Sequence, residues 1–194
     1  MFNDLSLQRL REILSSRPAI EIDAPQYRRA CVLLPLVRNG EQWSLLFSRR
    51  SANLAAHSGQ IAFPGGAVEA GETLEDAAVR EAEEEVGIHA GAVELIGRLD
   101  DVVTNSGFLV APFVGVVREK IEYVIQETEV TEVFEVPVDA LLELSQPEVR
   151  YVRFRDREYP AYFYHYRDYE IWGLTGRMLK AFLDLVWQSL GSGL

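Results

Sequence analysis

Seven acidic residues crowd the fourteen positions from Glu72 to Glu85, with a single arginine, Arg80, among them. The run closes as Arg80-Glu81-Ala82-Glu83-Glu84-Glu85-Val86-Gly87-Ile88, and the loop Phe63-Pro64-Gly65-Gly66 lies just upstream of it. Thr73 can cap the start of a helix, with Asp76 three residues on to complete a capping box. Gly87 stands where a left-handed residue would end that helix, so a helix over 74–86 is expected. Helical residues advance by roughly 100° each, which brings Glu81, Glu84 and Glu85 within an arc of about 100°. Gathered carboxylates raise one another's pKa values unless a cation neutralises them. A hard divalent ion with oxygen ligands, Mg2+ or Mn2+, is the expected occupant. Gly65 and Gly66 would let the preceding loop turn backbone carbonyls toward it. Arg80 is expected to lie off the carboxylate patch and to pair with Glu72 or Glu83, locking loop to helix. Ala77 and Ala78 fall near the same face, small enough for a loop or substrate to come close.

An exposed, solvated acidic helix is the bland alternative. Against it, the spaced glycines, Glu72 eight positions before Arg80, and the terminal Gly87 all coincide. The stretch resembles the Nudix box, G-x5-E-x7-R-E-U-x-E-E-x-G-U, where U is aliphatic. Every fixed position is filled, and only the small Ala82 at the first U position departs softly from the pattern. The resemblance implies hydrolysis of a nucleoside diphosphate linked to another group, with a divalent metal held by Glu81, Glu84 and Glu85. It implies further that Arg80 and Glu72 form the supporting ion pair and that Gly65 or Gly66 lends a carbonyl.

A second stretch bears on the substrate. Leu45-Leu46-Phe47-Ser48-Arg49-Arg50-Ser51, Asn53-Leu54 and His57-Ser58-Gly59-Gln60-Ile61-Ala62-Phe63-Pro64-Gly65-Gly66 resemble the signature of the coenzyme A pyrophosphatase branch of that family. This chain has one residue more than the compact pattern at the doubled arginine, so either Arg49 or Arg50 is the counterpart. The segments 133–137 and 171–175 are also similar to later parts of that branch. Coenzyme A carries a diphosphate and a ribose 3′-phosphate, so its site needs donors beyond the metal. Arg49, Arg50, Ser51, His57 and Gln60 are the candidate substrate-binding residues, arginine being suited to bidentate phosphate contacts. Each has a plainer reading as a strand-end charge or a loop-shaping hydrogen bonder. Arg153, Arg155 and Arg157 would share a strand face and could meet a phosphate, although a solvated strand edge is the simpler account. The cluster Tyr159, Tyr162, Phe163, Tyr164, Tyr166 and Tyr169 reads as core packing or as a contact with a second copy, one of them being a candidate for stacking on adenine.

The expected reaction is attack of water on the diphosphate, giving 3′,5′-ADP and 4′-phosphopantetheine or its acyl form from coenzyme A. A general base is required. Glu81 or Glu84 could serve; the Nudix resemblance also implies an acid from a late loop, where Glu129 is preferred to Glu127 and Glu132. Two rival readings stand beside this one. One is a broader hydrolase of ADP-ribose, NADH or nucleoside triphosphates; the other is a nucleotide-binding module without catalysis.

Several elements must position these residues. Leu7, Leu10, Ile13 and Leu14 recur at helical spacing behind Asp4, a candidate N-cap, and a helix over about 4–14 is expected. The stretches 29–37 and 42–48 read as strands turning at Asn39-Gly40. A long loop over 49–66 follows, with a short strand at 61–63, and long loops in compact domains tend to be functional. Strands are expected at 93–99, 108–117, 132–137 and 151–154, a short helix at 137–144 and a closing helix at about 174–190. Interleaved strands and helices indicate an α/β fold with a mixed β-sheet between helices. The resemblance, which runs from about residue 28 to residue 183, implies the same α/β/α sandwich, and length and composition fit one domain over residues 1–194.

At 194 residues and 48% apolar content, the chain is large enough for a substantial core. The net charge of −11 argues against long nucleic acid as a partner, though not against a small polyphosphate. No apolar run approaches the roughly 18 residues of a membrane span, and the N-terminus lacks the pattern of a signal peptide. Cys31, the single cysteine, sits in an apolar run and excludes an internal disulfide. A cytoplasmic location, a small-molecule substrate and a homodimer as a candidate assembly complete the expectations.

Overall fold

A computed structural model describes residues 1–52, 58–118, 122–154 and 157–191. Helix α1 (Asp4–Ser16) starts from Asn3, whose side chain accepts a hydrogen bond from the Ser6 amide at 3.0 Å. The cap is therefore Asn3, not Asp4; Asp4 instead accepts from the Trp43 indole at 2.9 Å. Strands β1 (Arg28–Asn39) and β2 (Gln42–Arg50) form a hairpin in which Asn39 faces Gln42. The turn residues are thus Gly40 and Glu41, one position later than the sequence indicates, with Gly40 at φ +61°. That left-handed conformation favours glycine.

Two very short strands follow, β3 (Ile61–Ala62) and β4 (Gly65–Ala67), and then helix α2 (Leu74–Val86). Strands β5 (Val93–Arg98), β6 (Val102–Val103), β7 (Phe108–Val117) and β8 (Val130–Pro137) precede the short helix α3 (Val138–Glu143). The chain ends with β9 (Glu148–Phe154), β10 (Arg157–Tyr166), β11 (Tyr169–Ile171) and helix α4 (Gly173–Ser189).

The main sheet runs β3-β2-β1-β7-β5, with β4 on β1, β6 on β7 and β8 on β2. It is mixed, because β1 and β7 run parallel while the other pairs are antiparallel. Alternation along β1 sorts the core. Leu34 and Leu36 pack with residues of α1, α3 and α4, whereas Cys31 and Leu33 pack with Ala77, Ala78, Ala82 and Val86 of α2. This is an α/β/α sandwich with the mixed sheet in the middle. The three alanines are fully buried, so their small side chains admit the sheet, not a substrate.

The pairing also explains where a site can form. β1 and β2 pair only over Leu36–Asn39 and Gln42–Leu45. Beyond that point β1 takes β4 as its neighbour and β2 takes β3. The two long strands part, and the 63–66 loop fills the gap, its Pro64 carbonyl accepting from the Leu33 amide at 2.9 Å. A second, three-stranded sheet, β11-β10-β9, was not legible in the sequence beyond 151–154.

Candidate functional site

The acidic helix has the expected bounds and caps. Thr73 Oγ1 accepts from the Asp76 amide at 3.1 Å, and Gly87 ends the helix at φ +75°. Its three candidate ligands fan outward from the core. Glu85 is buried at 3% exposure, Glu81 is half-buried, and the Glu84 side chain stands mostly in solvent.

Burial pushes the Glu85 carboxyl up to about 8, aided by the nearby charges of Glu81 and Glu129; a Gly65 amide bond and the charge of Arg50 oppose the shift. That amide bond is long, 3.3 Å from Gly65 N to Glu85 Oε2. Burial also raises the Glu81 carboxyl, against the lowering effect of Arg80 and with help from the charges of Glu84 and Glu129. Both carboxyls therefore sit where ionisation is costly without a further cation.

The two glycines of the loop are required by contact. A Cβ at Gly66 would stand 2.5 Å from the Glu81 carboxylate, and one at Gly65 would stand 2.3 Å from the Cys31 carbonyl oxygen. Only glycine lets the loop lie between β1 and the acids. Cys31 is buried, its thiol 3.9 Å from the Gly66 carbonyl, and burial pushes its pKa to about 12. It is a structural thiol.

Arg80 does not lie off the carboxylate patch, as the helical angle alone implied. Its long side chain reaches across. Nε and Nη2 donate to Glu72 at 2.8 and 3.1 Å, and Nη1 donates to Glu81 at 2.9 Å and Glu84 at 3.0 Å. Nη2 also donates to the Ala67 carbonyl at 3.3 Å, tying helix to loop. The pairing with Glu72 is the expected one and holds that carboxyl low; Glu83 instead pairs with His89.

Among the described residues, no three His, Cys, Asp or Glu side chains converge closely enough to cage a metal ion. The reason is local. Arg80 draws the heads of Glu81 and Glu84 to itself, while Glu85 turns to the Gly65 amide. The chemistry of the set nevertheless fits a hard divalent cation: oxygen donors only, a buried acid with no bonded counter-charge among the described residues, and a glycine surface against the Glu81 carboxylate. Glu81, Glu84 and Glu85 could hold it, with a carbonyl from Gly65 or Gly66.

The doubled arginine separates into two roles. Arg49 is engaged: its Nε donates to Glu132 at 2.9 Å and its guanidinium lies 5.3 Å from the Tyr169 ring centre. Tyr169 donates to the same Glu132 at 2.5 Å and stacks on Phe134 at 3.7 Å. Arg50 faces the acids, close enough for its charge to act on Glu85, and its Nε is buried with no hydrogen-bond partner. A β-bulge between the two, where β2 slips against β8, turns them apart.

Ser51 is buried and its amide donates to the Glu129 carbonyl at 2.7 Å. The Gln60 carbonyl accepts from the Arg50 amide at 3.0 Å. The Ser51 bond brings the 126–130 turn against the arginine strand, with Glu129 near Glu81 and Glu85. Glu127 is exposed and Glu132 is occupied by Arg49 and Tyr169. His57 and Arg155 lie outside the described residues, and the Arg157 side chain is likewise not described. Arg153 is exposed on β9. The Glu132–Tyr169 anchor of Arg49 was missed in the sequence, since it joins residues from two different sheets.

With this geometry in place, the comparisons with known proteins are specific. The model of the NUDIX domain matches residues 26–160. The chain is 39% identical over 165 residues to the uncharacterized Nudix hydrolase NudL of Enterobacter sp. (strain 638), covering 84% of this chain and 85% of that one. The NudL of Escherichia coli O7:K1 matches at the same identity and coverage. Among solved structures, the Nudix hydrolase RenU of M. smegmatis is similar with a TM-score of 0.51 and 25% identity, over 60% of this chain and 74% of that one. An Ap4A hydrolase of C. elegans has a TM-score of 0.50 at 16% identity, over 59% and 83% of the two chains, a likeness of fold alone.

Proposed function

The chain belongs to the Nudix hydrolase family, and from that premise we propose that it hydrolyses the diphosphate bond of coenzyme A or its derivatives. The observation that carries the reading is Glu85, an acid buried beside Gly65-Gly66 with no guanidinium bonded to it among the described residues.

Glu81, Glu84 and Glu85 would hold Mg2+ or Mn2+, which when bound neutralises phosphate charge and makes a nearby water more acidic. Binding would exchange Arg80 for the cation at Glu81 and Glu84, leaving Arg80 on Glu72 and the Ala67 carbonyl. Arg50, whose charge lies near Glu85, would offer its guanidinium to a phosphate oxygen there. Glu129 accepts the proton of the attacking water, because it stands near both inner carboxyls on a turn fixed by the Ser51 amide. The water oxygen bonds to one phosphorus, the bridging P–O bond breaks, and the other phosphate leaves with the bridging oxygen. The products are 3′,5′-ADP and 4′-phosphopantetheine, or its acyl form.

Support for coenzyme A over other diphosphates comes from the run His57 to Gly66 together with the doubled arginine. The test is a competition assay offering coenzyme A, ADP-ribose and NADH at equal concentration with Mg2+ or Mn2+, read by mass spectrometry. Preferential release of 3′,5′-ADP supports the reading. Faster cleavage of ADP-ribose or NADH would replace it with a broader diphosphate hydrolase, and no cleavage of any would leave a nucleotide-binding module.

A further inference from the structure

Strand β9 is exposed at every residue from Glu148 to Arg153. Val149, Tyr151 and Val152 are 45%, 70% and 43% exposed. A strand of an antiparallel sheet ordinarily buries at least one face. β9 also ends its sheet, paired with β10 on one side and with no other strand among the described residues. Its outer edge is therefore a row of backbone donors and acceptors open to another chain.

We propose that β9 pairs antiparallel with β9 of a second copy about a two-fold axis through Val149, joining two three-stranded sheets into one of six. The choice of axis follows from charge. Opposed residues share a face, so a two-fold axis normal to the sheet must bring one residue opposite itself. Centring on Arg150 sets two arginines against each other, and centring on Glu148 sets two glutamates together; like charges directly opposed destabilise a pair. Centring on Tyr151 opposes Arg150 to Val152 and matches no charges. Centring on Val149 opposes Glu148 to Arg150 of the other copy twice, Val149 to itself, and Tyr151 to Pro147. Proline has no N–H for the ladder, so the pairing ends there.

The charged face is already arranged for this exchange. Arg150 Nε lies 2.7 Å from Glu148 Oε1 along one strand, and both side chains are about half exposed. Swapping intrastrand for interstrand pairs leaves each charge matched while Val149 and Tyr151 leave water. One strand makes a small interface, so the dimer is reversible. It is independent of the proposed activity.

Sedimentation velocity on the full-length protein, from low-micromolar to sub-millimolar concentration, tests it. The wild type should approach twice the 21.9 kDa chain mass with rising concentration. Glu148→Arg or Arg150→Glu alone should raise the dissociation constant about tenfold or more, and the double exchange should restore it. Val149→Lys, which sets two like charges on the axis, should also separate the copies, with circular dichroism checking that each variant is folded. A wild type that stays monomeric throughout overturns the proposal. So does a dimer indifferent to the single changes, or one that the double exchange fails to recover.

Discussion

Two carboxylates are buried to nearly the same degree, Asp101 at 4% and Glu85 at 3% exposure, and they are treated in opposite ways. Asp101 is bonded by Arg98 on one oxygen and by Arg29 at 3.2 Å on the other, and it accepts the Ile22 amide at 3.1 Å. Its own amide donates to the Ile20 carbonyl. Two guanidiniums and two backbone bonds thus pin the 20–22 segment to the turn after β5. Among the described residues, Glu85 has one long amide bond and no bonded cation. A buried charge that is matched holds structure, and one left unmatched holds a place for something else. The same fold carries both, and the difference marks the proposed site.

That contrast is broken first by neutralising Glu85. Glu85→Gln keeps the shape and should lower diphosphate hydrolysis by about two to three orders of magnitude, read from turnover of coenzyme A with saturating Mg2+. Asp101→Ala should do the reverse. It removes the buried counter-charge shared by Arg98 and Arg29 and should cost about 3 kcal/mol in urea unfolding, while turnover per folded molecule stays near normal. A variant that swapped these phenotypes would erase the distinction.

The pH dependence sharpens it. The Glu85 carboxyl lies at about 8 in the folded chain against 4.5 ordinarily, so the folded state holds its proton more tightly than the unfolded state. Its contribution to stability is fully present below about 4.5 and is lost as pH rises through about 8. Thermal unfolding in EDTA should therefore fall in midpoint across that window for the wild type, and the fall should flatten in Glu85→Gln.

The smallest effects belong to the doubled arginine. Arg50→Ala should lower kcat/KM for coenzyme A by about tenfold, through a lost phosphate donor, with ADP-ribose less affected if the residue reads the coenzyme. Arg49→Ala should act on stability instead, by under about 1 kcal/mol, because its ion pair with Glu132 is largely solvated. Equal kinetic losses in both would deny the separation that the bulge creates.

Much of the site was legible because it is local. The α2 bounds and the Thr73 and Gly87 caps follow from spacings within one helix and its flanks, and the Nudix resemblance narrowed the partner of Arg80 from Glu72 or Glu83 to Glu72. What the sequence hid depends on reach or on distant partners. Arg80 was placed by the angle of its Cα, yet its guanidinium spans the distance to Glu81 and Glu84. β4 is made of Gly65, Gly66 and Ala67, which carry no strand pattern and pair with β1 only because β2 has turned away. β10 escaped notice because Tyr159, Tyr162, Phe163 and Tyr164 break the two-residue alternation, with Pro160 among them. The contrast between Asp101 and Glu85 was invisible for the same reason, since Arg29 lies 72 residues from Asp101 in the chain.

Calorimetric titration with Mn2+ at pH 7 in two buffers of different ionisation enthalpy asks whether the cation seats on Glu85. The wild type should bind the ion with release of protons, since Glu85 must ionise to receive it, and Glu85→Gln should bind far more weakly and release fewer. Equal affinity and equal proton release in the two proteins would mean that the unmatched acid is not where the cation goes.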